Sequence, residues 1–202
     1  MLTIVESRNT VADANTVATK VHRCERFISV YVSAVKKDEA LGDLEVARKE
    51  WETAFAQVPD AALAYLKADD DYAMGGLQVH VNWVLVHYRR VLDGLVDGGF
   101  VPLDPLDPPG EHDEFNQRSK VGLDGDGRRK ELADMASVHR AIVEVTKDLP
   151  EESWSRKTPV VYGAGQDPFP TSPEDVIGWL ADHYREHVQQ CPELVAEWRK
   201  TL

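Results

Sequence analysis

The sequence predicts an all-α protein, a mostly helical bundle folded as one domain. Three observations carry this prediction. Apolar residues recur every three or four positions almost throughout, the period of a helix with one buried face. No stretch alternates with period two over the length of a strand. The 202 residues suit one domain with a core large enough to need no cross-links.

The elements follow in order. The first apolar run is Val17, Val21, Cys24, Ile28, Tyr31, Val35, and it predicts an amino-terminal helical extension over Met1–Lys37. The second is Leu41, Leu44, Trp51, Phe55, Val58. The phase slips between Val35 and Leu41 by about 120°, so the two runs read as two helices or as one helix kinked near Lys37–Gly42. Pro59-Asp60 ends the second run. A third helix is predicted from Tyr72 to Val96, apolar on nearly all sides, which implies burial on both sides or at a subunit contact. Residues 101–127, rich in proline, glycine and acids, read as a long ordered loop with a functional or lid role. A fourth helix carries Leu132, Met135, His139, Ile142, Val143 and Leu149. Thr158–Tyr162 followed by Gly163-Ala-Gly165 suits a short hairpin. Ser172, Pro173 and Asp175 form a capping-box start for a last helix through Val176, Leu180, His183, His187, Cys191 and Leu194.

Charge and punctuation exclude several partners. With 23 Lys+Arg against 35 Asp+Glu the net charge is −12, which disfavours a nucleic-acid footprint and adsorption to anionic lipid. No apolar run reaches the length of a membrane span. Met1–Thr10 lacks the basic-then-apolar pattern of a secretory signal, so a cytoplasmic location is expected. Cys24 and Cys191 each sit within an apolar stripe and read as buried, reduced thiols.

The histidines carry the chemistry. His183 and His187 are one helical turn apart, on the apolar stripe, where two imidazoles can reach one metal. A polar group on such a stripe needs a partner, because an unsatisfied buried imidazole is costly. His80 and His87 share a face of the third helix, and one of them can complete a three-histidine set. Three neutral imidazoles and an open position describe a catalytic rather than a structural metal site. The competing reading is that these are hydrogen-bonded packing residues, and it is preferred for His139 and for His87. His22 and His112 read as solvated.

Other motifs are weaker. His183-Tyr-Arg-Glu-His187 matches the H-x-x-E-H protease pattern, but too little chain follows to supply the distant carboxylate ligand. Asp124-Gly-Asp126-Gly127 resembles the start of a calcium loop, but Met135 stands where the final carboxylate belongs. Gly163-Ala-Gly165 lacks the context of a dinucleotide loop.

Two segments together resemble the DinB/YfiT-like superfamily of metal-binding helical bundles. One is Gly76-Leu-Gln-Val-His80-Val-Asn82. The other is Trp179–Gln190, with an H-x-x-x-H-x-x-Q pattern. The resemblance spans about residues 42–195 and rests also on the order of helices and hairpin. It implies an up-down-down-up four-helix bundle, often a homodimer. It implies a divalent metal, zinc or nickel, on His80, His183 and His187. Some relatives are transferases or isomerases that use mycothiol, bacillithiol or glutathione. The functional expectation is therefore a metal-dependent thiol transferase or hydrolase, with Glu186, Tyr184 and His87 as candidates for proton transfer. The alternative is a non-catalytic bundle that binds a small molecule or dimerises.

Overall fold

The computed structural model describes residues 37–104, 107–108, 110–163 and 165–202. The expected extension, with His22 and Cys24, lies outside the described residues apart from its last position. The elements are α1 (Lys37–Ala56), a 3-10 turn (Asp60–Ala62), α2 (Gly76–Asp97), α3 (Glu111–Val121), α4 (Gly125–Lys147), α5 (Glu151–Trp154), β1 (Thr158–Val160), β2 (Phe169–Thr171) and α6 (Pro173–Arg199).

The four long helices α1, α2, α4 and α6 build the bundle. α1 packs along α6 and α4, and α2 packs along α4 and α6. Their apolar faces meet in one core: Leu44, Trp51 and Phe55 of α1, Leu85 and Leu92 of α2, Met135 and Ile142 of α4, and Leu180 of α6 are all buried. Gly42 lies inside α1, so the described part of the second apolar run is a continuous helix rather than a break at that residue. The start of α6 is as the sequence reads. The Ser172 hydroxyl accepts from the Asp175 amide, the Asp175 carboxylate accepts from the Ser172 amide, and Pro173 opens the helix. The hairpin also forms, with Thr158 opposite Thr171 and Val160 opposite Phe169.

Residues 101–127 are not one long loop. Within the expected loop lies α3, whose first turn is acidic (Glu111, Asp113, Glu114) and whose last turn is basic (Arg118, Lys120). That order of charges complements the helix dipole. Gly110 and Gly122 bound it with positive φ, 83° and 76°, a conformation glycine adopts without a Cβ penalty. Only Phe115 and Ser119 of α3 are buried, so its apolar signal was too sparse to show as a period. α3 packs on α2. It thereby covers part of the apolar circumference that the sequence reading left to burial on both sides or to a subunit contact. Asp124, from the calcium-like motif, caps α4 through the Gly127 amide.

The α2–α3 approach is set by glycine. A Cβ on Gly76 would lie 1.8 Å from the Ser119 carbonyl oxygen, and the Ala73 amide donates to that same oxygen at 2.9 Å. Gly76→Ala should therefore destabilise the fold by about 1–3 kcal/mol through overpacking against backbone. Gly178→Ala, at an exposed helix position with nothing within 4 Å, should stabilise by about 0.5–1 kcal/mol. Urea denaturation of the two variants checks the opposite signs.

His139 is a packing residue, as expected. It is buried between α1 and α6, with the Tyr184 hydroxyl 3.4 Å from Nδ1 and Glu45 Oε2 3.1 Å from Nε2. Burial and the nearby Arg48 charge push its pKa down to about 4, against a partial opposing pull from Glu45. The unfolded chain takes up this proton first, near the ordinary value of 6.5. The stability from neutral His139 is whole above pH 6.5 and is lost as pH falls towards 4. The urea midpoint should fall across that window, and the fall should be shallower in His139→Gln.

Candidate metal centre

Two helices supply three imidazoles. His80 projects from α2, and His183 and His187 project from successive turns of α6. α2 and α6 are neighbours in the bundle, so the one-turn spacing on α6 faces a single histidine on α2. The ring centroids lie 4.9 Å (His80–His183), 5.0 Å (His80–His187) and 4.4 Å (His183–His187) apart. One ligand nitrogen from each ring lies within 4.8 Å of the others. Among the described residues no further histidine, cysteine, aspartate or glutamate joins the group.

The electrostatics suit neutral imidazoles. Nδ1 of His80, Nε2 of His183 and Nε2 of His187 are all buried without a hydrogen-bond partner. Desolvation holds all three rings well towards the neutral form, lowering their pKa values below 6.5. For His80 and His183 the neighbouring imidazoles add to that lowering. Neutral imidazole is the form that donates a lone pair to a metal. Buried imidazole nitrogens without partners cost free energy, and three on one spot fit a divalent ion of intermediate softness, for which nitrogen donors are apt.

Surrounding side chains orient the cluster. His187 Nδ1 lies 2.9 Å from Gln190 Oε1, and a donated proton there leaves Nε2 as the free lone pair, the usual device for fixing a ligand tautomer. Trp51 meets the His187 ring edge-on at 6.2 Å. Its indole N–H is held by Gln78 at 2.8 Å, Gln78 donates to Asn82 at 2.8 Å, and Asn82 donates to Glu131 at 2.6 Å. Arg118 closes this chain on Glu131 at 2.6 Å. On the other side Tyr72 stacks on His80 at 4.7 Å and Phe115 of α3 tilts against it at 5.7 Å.

The remaining candidates go elsewhere. His87 is not in the cluster: its Nδ1 lies 2.7 Å from Asp107, beside Arg90, which also pairs with Glu111. Tyr184 is buried and faces His139, so it does not join the three clustered histidines. Glu186 is exposed. His112 is half-buried rather than solvated, with Asn116 3.0 Å from its Nδ1 and Trp83 edge-on to its ring. Cys191 is a buried free thiol, as expected. Sequence reasoning named Gln190 only as the end of the H-x-x-x-H-x-x-Q pattern, with no role, and missed two further contributors. Gln190 carried a signal, its place three residues after His187. Tyr72 and Phe115 carried none, because each reaches His80 through chain geometry outside its own helix pattern.

No known family model and no curated protein matches the chain. The solved structures that resemble it include a crystal structure of the mycothiol-dependent maleylpyruvate isomerase, at a TM-score of 0.58 and 13% sequence identity. The match covers 80% of this chain and 66% of that one, just under two-thirds of its length. At that identity the likeness is one of fold: the helical bundle described here is similar to the bundle of a thiol-dependent isomerase.

Proposed function

We infer that this chain is a metal-dependent enzyme of the DinB/YfiT-like bundles, with His80, His183 and His187 as the ligands of one divalent ion and a low-molecular-weight thiol as co-substrate. One observation carries the metal: three buried imidazole nitrogens, one per ring, without hydrogen-bond partners, on rings clustered at ligand spacing. The fold likeness to a mycothiol-dependent isomerase supports the thiol. Zinc or nickel as the ion, the up-down-down-up course of the helices, a cytoplasmic location and a homodimer belong to the same reading. Among the described residues no helix is long and apolar enough to cross a membrane.

A bound divalent ion supplies Lewis acidity, lowering the pKa of a thiol or water and polarising a substrate oxygen. The chain's own residues prepare for that. The bundle core keeps the three imidazoles neutral. Gln190 holds His187 in the tautomer that presents Nε2. Tyr72 and Phe115 keep water from the His80 side. Transfer or hydrolysis are the reaction classes open to such a site.

The alternative, a non-catalytic bundle that binds a small molecule, draws on a different observation: among the described residues no further histidine, cysteine, aspartate or glutamate joins the three histidines. Turnover of an electrophile with mycothiol or glutathione separates the two readings.

Protein purified without a histidine tag should contain a divalent ion by elemental analysis. His183→Ala should lose it and His139→Ala should keep it; equal retention in both contradicts the site. Gln190→Ala should weaken metal affinity by about 10–100-fold, as loss of a ligand's supporting hydrogen bond does elsewhere. Competition with a chromophoric chelator measures that change.

A further inference from the structure

Resting on the metal reading, the geometry also bears on how a ligand reaches the ion. Three imidazoles leave a divalent ion one short of its usual four donors, and among the described residues no fourth protein donor joins them. The missing donor must come from outside. Yet the unpartnered nitrogen of each ring is buried from water.

A cleft of about 250 Å³ lies between α2, α3 and α4. Its rim carries the exposed charged residues Glu114, Lys130 and Asp134. Its wall includes Phe115 and Trp83, which stack on each other at 4.9 Å. The Trp83 indole N–H is buried and has no acceptor. Phe115 also touches the His80 ring. One aromatic side chain therefore belongs to both the cleft wall and the histidine cluster.

We propose that this cleft is the entry site for the exogenous ligand and that Phe115 is the gate between it and the metal. The ligand is a small molecule with a soft or nitrogenous donor at one end and a hydrogen-bond acceptor for the Trp83 N–H. The gate rides on α3. The carboxyl-terminal end of that helix is fixed, with Ser119 buried and its carbonyl seated against Gly76 and the Ala73 amide. Its amino-terminal end is tied by the Arg90–Glu111 ion pair, 2.6 Å at Arg90 Nη2, and is preceded by Gly110 with a φ of 83°. Breaking that pair frees the Phe115 end.

The test uses full-length protein loaded with cobalt(II) and 2-mercaptoethanol as the probe. Stopped-flow absorption follows thiolate-to-cobalt charge transfer. Phe115→Ala should bind the thiol faster by about tenfold or more, as removal of a rate-limiting lid does, with cobalt affinity unchanged. An unchanged rate in Phe115→Ala overturns the gate, as does a rise confined to Tyr72→Ala. Should Phe115→Ala fail to fold, Glu111→Ala carries the same test: faster thiol binding supports the gate and an unchanged rate overturns it. Failure of the wild-type protein to bind cobalt at these histidines is a different outcome. It removes the metal reading itself, and the gate with it.

Discussion

Three imidazole nitrogens sit out of water with nothing to bond to, and most of the site's surroundings follow from that constraint. An unsatisfied buried polar group costs about 1–3 kcal/mol. The bundle accepts that cost three times within one small volume, at His80, His183 and His187. The same cost is offset when a cation takes the three lone pairs. The burial that creates it also favours the neutral rings a cation needs. Desolvation and ligand readiness are one property of the site.

The neighbouring polar groups are treated in the opposite way. Trp51, Gln78, Asn82 and Glu131 form an unbroken buried chain of hydrogen bonds from α1 through α2 to α4, and the exposed Arg118 of α3 pairs with its end. Satisfied networks of this kind specify one packing arrangement. This one fixes Trp51, and Trp51 abuts His187. The contrast within one core, a satisfied network beside three clustered unsatisfied imidazoles, supports the proposal of a ligand site there. The same network reaches α3, the helix that carries Phe115, so the scaffold and the cover of the site are mechanically joined.

Much of this was legible in the sequence, for identifiable reasons. The α6 start at Ser172, Pro173 and Asp175 is local chemistry, and it formed as read. His183 and His187 share a stripe because four residues make about one turn. His80 could not be separated from His87 by helix period alone, since seven residues return to nearly the same face. The fold decides it: the turn of α2 bearing His80 meets α6, while His87 meets Asp107. α3 was not legible because two buried residues in eleven make no stripe. Its charges, acidic then basic, were the signal available. Tyr184 shows the limit of proximity in sequence, since one residue beyond His183 turns it towards His139 and out of the site.

The proposed function depends on one divalent ion being held by His80, His183 and His187. Anomalous X-ray diffraction at the absorption edge of the bound metal, on crystals of untagged protein, tests it most directly. A single anomalous peak bonded to one nitrogen of each of the three rings at about 2.0–2.1 Å is expected, with the remaining position taken by a non-protein donor. A peak elsewhere, or a cluster whose three imidazoles are hydrogen-bonded to ordered water in metal-replete protein, would contradict it.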